Sequence, residues 1–192
     1  MQSIAVSTGV VALAEIGDKT QLLAFVLAAR FKKPIPIIAG ILIATLINHG
    51  LAGALGAWIT SALSPEVLRW ALGASFIAMA AWTLIPDKIE EDETQVVSRY
   101  GVFSATLITF FLAEMGDKTQ IATVALAAHF AQPLMVVIGT TLGMLIADVP
   151  AVFIGDRIAE KIPMRLVHAI AATLFLALGI ATLMGLGSQI GL

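Results

Sequence analysis

The chain has 192 residues, 59% of them hydrophobic and 12% charged, with a formal net charge of −2. A mean hydropathy of +0.97, with about half the charge of an average soluble domain, excludes a water-soluble globular protein. The lack of any cysteine excludes disulfides, thiolate metal sites and thiol redox chemistry.

The apolar residues fall into six blocks, each long enough for a spanning helix of about 20 residues. We therefore expect an all-α integral membrane protein with six transmembrane helices, at 3–30, 34–60, 66–85, 100–129, 133–156 and 163–187. Breaks are marked by Pro34 and Pro36, Ser64-Pro65, Pro86, Gln132-Pro133 and Pro163, near helix ends where proline is tolerated. The start, Met1-Gln2-Ser3, carries no basic residue, and its apolar run continues past Glu15 and Asp18. It reads as a retained first helix rather than a signal peptide.

A shift of 99 positions aligns the two halves without a gap. Phe31 falls on Phe130, Pro34 on Pro133, Gly40 on Gly139, Gly56 on Gly155 and Phe76 on Phe175. The expected organisation is a first three-helix repeat over 1–86, an acidic linker over 87–99 and a second repeat over 100–192. A three-helix unit has an odd number of spans, so the second copy enters from the opposite side, as in the inverted repeats of many secondary transporters. Basic residues give the orientation. Arg30, Lys32 and Lys33 follow helix 1, and Arg157, Lys161 and Arg165 lie between helices 5 and 6, whereas their matched positions carry no basic residue except His129. The positive-inside rule then puts both termini outside and the linker in the cytoplasm, with only Arg69 on the wrong side. The linker's acidic run, Asp87 to Glu93, reads as solvated chain. Trp58, Trp70 and Trp82 fall near helix ends as interface anchors. Gly40 with Ala44, Gly53 with Ala57, and Gly139 with Gly143 are spaced for close helix contact.

The best-matched stretch is Ala14-Glu15-Ile16-Gly17-Asp18-Lys19-Thr20-Gln21, which returns as Ala113-Glu114-Met115-Gly116-Asp117-Lys118-Thr119-Gln120. Each copy sits inside an apolar run, where ionisable groups are costly and need partners. On a continuous helix Glu15, Asp18 and Lys19 share one face, as do Glu114, Asp117 and Lys118. Inverted repeats would bring the two faces together near the midplane. With every group ionised the two boxes sum to −2, a charge neutralised by one divalent cation or by two protons, which suits exchange of one for the other. The donors on offer are the four carboxylates, the Thr20 and Thr119 hydroxyls and the Gln21 and Gln120 carbonyls. Oxygen-only donors favour Ca²⁺, Mg²⁺ or Mn²⁺. Lys19 and Lys118 are expected to pair with the carboxylates, while Gly17 and Gly116 allow the helix to loosen. Asn48 in helix 2 and Asp148, at the position matching His49, are supporting candidates, while His49 reads as a packing or hydrogen-bonded histidine with a proton role as the sharper alternative. Asp148 reads as an accessory ligand, a proton-path carboxylate or an interhelical hydrogen-bond group. Met115 reads as packing, with a thioether that would favour Mn²⁺ as the sharper alternative. Asp156 reads as interfacial.

The duplicated E-φ-G-D-K-T box in a six-helix chain resembles the family of Golgi, thylakoid and bacterial cation/proton exchangers, over essentially the whole length. The resemblance implies transport of Mn²⁺ and in some members Ca²⁺, with Glu15, Asp18, Glu114 and Asp117 lining the cation path. Short loops and the lack of a targeting extension resemble a bacterial member, hence an inner-membrane protein. The expectation is a secondary-active exporter of a hard divalent cation in exchange for protons, without cofactor, nucleic-acid partner or enzymatic activity. Oligomeric state stays open. The alternatives are a membrane enzyme acting on lipid phosphates, an exporter of a basic amino acid, and a channel. The enzyme lacks an intramembrane arginine cluster, H-E-x-x-H or nucleophile elbow to support it.

Overall fold

Proline sets three of the helix starts. Pro34, Pro65 and Pro133 each open a helix, where the missing N–H removes no intrahelical bond. The computed structural model describes residues 1–85, 101–154 and 164–185, and the regular structure among them is entirely helical. The elements are α1 (Gln2–Glu15), α2 (Lys19–Phe31), α3 (Pro34–Ala62), α4 (Pro65–Thr83), α5 (Gly101–Glu114), α6 (Lys118–Phe130), α7 (Pro133–Ile154) and α8 (Met164–Leu183). The acidic linker with Asp87–Glu93, Pro86, Gly155, Asp156, Arg157, Lys161 and Pro163 lie outside the described residues.

Three segments, Pro34–Ala62, Pro133–Phe153 and Arg165–Leu183, are long and apolar enough to cross a membrane by length and composition. The 29 residues of α3 alone reach about 43 Å at 1.5 Å per residue. The continuous helices expected over 3–30 and 100–129 are not found. Each is split at its box into two half-helices of 13 or 14 residues, α1 with α2 and α5 with α6. The shared-face relation of Glu15, Asp18 and Lys19 on one unbroken helix therefore does not hold, nor does its copy. The cause is local. Gly17 and Gly116 take φ of +86° and +79°, left-handed values that an α-helix cannot accommodate and that glycine adopts without a Cβ penalty.

Packing follows the duplication. α1 lies along α7 as α5 lies along α3, and α3 meets α6 as α7 meets α2, while α4 and α8 pack on each other. The α1–α7 contact is close because Gly139 and Gly143 lack side chains. A Cβ on Gly143 would sit 2.7 Å from the Thr8 carbonyl oxygen and 2.9 Å from the Ala12 nitrogen. Gly40 takes the same part against Thr106 and the Phe103 carbonyl of α5. Two apolar cores result. One gathers Val10, Phe76, Met79, Leu126 and Phe175 from α1, α4, α6 and α8. The other gathers Leu23, Phe25, Ile41, Phe110 and Met144 from α2, α3, α5 and α7. Both boxes therefore lie where one core gives way to the other. Trp58 and Trp70 are exposed near helix ends, with the Arg69 guanidinium 5.7 Å from the Trp70 ring.

Candidate metal centre

Each box folds its own loop. Glu15 is the last residue of α1, Ile16 is extended and Gly17 reverses handedness. Asp18 then caps α2 with an extended backbone (φ −81°, ψ 170°), its Oδ1 accepting the Lys19 N–H at 2.9 Å. Gln21 reaches back so that its Oε1 accepts the Gly17 N–H at 2.9 Å, and Thr20 donates its hydroxyl to Glu15 Oε2 at 2.6 Å. The second copy repeats the pattern except for the side-chain cap: Asp117 stands at the N-cap position of α6 (φ −78°, ψ 166°) but its side chain makes no cap bond, while Gln120 Oε1 accepts the Gly116 N–H at 2.8 Å and Thr119 donates to Glu114 Oε2 at 3.0 Å. The threonine and glutamine spacings are thus what closes the break. Both aspartates stand at the N-terminal ends of half-helices, where exposed N–H groups and the helix dipole favour negative charge.

The two breaks meet. Glu15, Glu114 and Asp117 each bring a carboxylate oxygen within 4.8 Å of the others, and all three side chains are buried. The fourth box carboxylate, Asp18, is buried against the Lys118 ammonium, with Nζ 3.3 Å from Oδ1 across the two halves of the chain. Lys19 is half-buried and forms no ion pair among the described residues. Each glutamate has one oxygen bonded to its threonine and one, Oε1, without a hydrogen-bond partner among the described residues. A carboxylate oxygen in such surroundings is stable only with a proton or a cation beside it.

Asp148 adds a fifth buried carboxylate, close enough to both glutamates to act on their charge, and neither of its oxygens has a hydrogen-bond partner among the described residues. Gln21 Nε2 donates to the preceding carbonyl, Ala147 O, at 3.0 Å, which ties the first break to α7. With Asp148 ionised the formal sum of the site becomes −3. Asn48 is buried and donates to the Phe111 carbonyl at 3.2 Å, so it ties α3 to α5. His49 is fully buried at the position matching Asp148, with neither ring nitrogen bonded among the described residues. Met115 is exposed, its sulfur 4.0 Å from Gln120 Nε2, away from the carboxylate trio.

The Gln21 and Gln120 carbonyls and the Thr20 and Thr119 hydroxyls all lie at the breaks, but each already serves a hydrogen bond within its own loop. Two buried hydroxyls, Thr45 and Thr141, were not singled out by motif. Neither has a partner among the described residues. Their signal is helical spacing, four residues before His49 and seven before Asp148.

Chemically the centre offers oxygen donors only: three converging carboxylates, a fourth held by an ammonium and a fifth beside them. Such a set matches a hard divalent cation and gives protons a competing place to bind.

The chain is similar to known proteins over most of its length. The family model described as divalent cation/proton antiporter GDT1 matches residues 3–91 and 102–189. A protein of Vibrio cholerae serotype O1 named "Putative manganese exporter" is 54% identical over 183 residues, covering 95% of this chain and 90% of its own length. GDT1-like protein 3 of Oryza sativa subsp. indica is 29% identical over 201 residues, covering 92% of this chain and 71% of its own. GDT1-like protein 3 of Arabidopsis thaliana is 28% identical over 202 residues, covering 92% and 68%. No solved structure matches the chain.

Proposed function

The chain belongs to the divalent cation/proton antiporter family GDT1, and from that premise we propose that it is a secondary-active exporter of Mn²⁺, with Ca²⁺ as the second candidate, driven by the inward proton gradient. The observation that carries this reading is the convergence of Glu15, Glu114 and Asp117 from two broken helices onto one buried point. In our reading α1–α2 and α5–α6 each span the membrane as one interrupted helix. With α3, α4, α7 and α8 they form six spans in two inverted three-helix repeats, 1–86 and 100–192, joined by the linker 87–99. Both ends face outside in the inner membrane of a bacterium.

The cation is substrate, bound between the two boxes near the bilayer midplane. Glu15, Glu114 and Asp117 supply its charged ligands, and Asp18, Thr20, Thr119, Gln21 and Gln120 complete or brace the set. Asp148 serves as an accessory carboxylate and a place for a proton. Lys118 holds Asp18 ionised, and neither lysine serves as a ligand, because a protonated lysine cannot bind a cation itself. Cytoplasmic metal displaces protons from the carboxylates, the repeats rock about the site, and external protons release the metal. Broken helices with their ends at the substrate suit such a cycle. The donor set recommends a transporter over a lipid-phosphate enzyme, since it offers carboxylates where a phosphate would need cations.

The test is metal flux in proteoliposomes with a trapped pH dye, comparing Mn²⁺, Ca²⁺, Mg²⁺ and lysine. The expected result is Mn²⁺ movement with opposing proton movement, abolished in Asp18→Asn and Asp117→Asn proteins that still insert and elute as folded species. Metal flux without coupled protons would make this a channel or uniporter. Normal flux in Asp117→Asn would refute the site.

A further inference from the structure

The 99-residue shift gives every contact an image, so each can be checked for its partner. Most images are present: α1 on α7 with α5 on α3, α3 on α6 with α7 on α2, and α1 on α6 with α5 on α2. Two are not. α4 packs on α6 and α8 on α1, yet among the described residues neither α8 on α2 nor α4 on α5 packs comparably. The segments compared match in length to within one residue, Lys19–Phe31 with Lys118–Phe130 and Pro65–Thr83 with Met164–Leu183.

The side chains register the difference. Ala125 and Ala128 of α6 are buried, while their images on α2, Val26 and Ala29, are exposed. His129 stands edge-on to Phe76 with its Nδ1 3.4 Å from the Thr182 hydroxyl, while its image Arg30 is exposed. The α4–α8 pair therefore leans on the half of the molecule built by α1 and α6. The two halves are therefore not packed equivalently.

The same asymmetry enters the boxes. Lys118 is buried on Asp18 at 3.3 Å, whereas its image Lys19 is half-buried with no ion pair among the described residues. The trio of converging carboxylates contains Asp117, and not its image Asp18. We propose that Lys118 and Lys19 are alternating counter-ions: here Lys118 neutralises Asp18 while Asp117 joins the two glutamates, and in the other arrangement Lys19 neutralises Asp117 while Asp18 joins them. This assignment rests on the reading of the chain as an inverted-repeat exchanger and gives its lysines a role in positioning the site. Glu15 and Glu114 serve in both states, and the substrate meets three carboxylates in each. One lysine enters as the other leaves, so the set keeps its formal charge and the aspartate outside the trio has a counter-ion in each state.

The natural absence of cysteine makes the test direct. Leu72 and Ala125 share one core in this arrangement, and their images are Ala171 and Val26. Full-length Leu72→Cys/Ala125→Cys and Val26→Cys/Ala171→Cys proteins are treated in liposomes with a short bifunctional thiol reagent, under conditions where both cross-links form. Lys118→Gln is expected to lower the ratio of the first cross-link to the second by at least about tenfold, because removing one partner of a buried ion pair confined to one of two states disfavours that state. Lys19→Gln is expected to raise that ratio. Shifts in the same direction for both variants, or no shift for either, overturn the proposal. If Lys118→Gln fails to insert, Lys19→Gln decides alone, and an unchanged ratio overturns it. The readout needs no transport. Wild-type protein that exchanges cross-links but carries no metal would refute the exporter reading and leave the lysine exchange standing.

Discussion

The Thr20 hydroxyl offers the sharpest test of how the centre is organised. Its bond to Glu15 Oε2 is 2.6 Å, within the range for a hydroxyl on an ionised carboxylate, about 2.5–2.7 Å. Thr20→Val keeps the shape and removes the donor. The other oxygen of Glu15 already lacks a protein partner among the described residues, so the variant leaves the carboxylate without a donor of its own. A hydrogen bond to a charged group contributes about 1.5–3 kcal/mol, which is roughly 10- to 150-fold in an equilibrium. Oriented poorly, Glu15 should bind the cation less well by a similar factor. Initial rates of Mn²⁺ flux at several concentrations should show kcat/KM reduced at least about tenfold in Thr20→Val, in protein that still inserts and elutes as a folded species. Thr20→Ser, which restores the hydroxyl, should recover most of the loss. The 3.0 Å bond from Thr119 to Glu114 puts Thr119→Val in the same range. Wild-type kinetics in Thr20→Val would refute the reasoning, as would Thr20→Ser as impaired as the valine, since restoring the hydroxyl would then restore nothing.

Two backbone predictions follow from the glycines. Gly116→Ala has open space around the new Cβ but must hold a φ of +79°, a strain of roughly 1–2 kcal/mol. Thermal unfolding in detergent should fall by roughly 2–8 °C for a chain of this length; an unchanged midpoint would mean that glycine does not dictate the break. Gly143→Ala would press a Cβ on the α1 backbone at 2.7 Å, an overpacking cost of about 1–3 kcal/mol. The control is Gly50→Ala in α3, which meets nothing within 4 Å. It should be neutral or slightly stabilising, because alanine is the better helix former. If the two variants melt alike, the α1–α7 contact is not close in solution.

Much of the centre was legible in the chain itself. Glu15 and Glu114 could be singled out because ionisable residues in an apolar run are conspicuous, and because the same eight-residue pattern occurs twice. The helix starts at Pro34, Pro65 and Pro133 follow from the missing N–H, and Gly139 with Gly143 announced a close helix contact. The break itself was less legible. A lone glycine is tolerated in many helices, and only together with the Asp cap and the Gln and Thr that fold back does it stop one. Asp148 and His49 stood out as buried polar residues, but nothing in their spacing told which helices would face them.

The sequence by itself determined the duplication, the apolar blocks, the oxygen-only donor set and the loop chemistry of each box, because these depend on residues close together in the chain. It could not distinguish the copies. Two boxes that match at seven of eight positions have nearly the same local preferences, so neither announces which aspartate joins the glutamates and which meets a lysine. That choice belongs to the tertiary structure. Once α4 and α8 pack against α1 and α6 rather than α2 and α5, the halves cease to be equivalent, and one asymmetric packing goes with one asymmetric set of ion pairs.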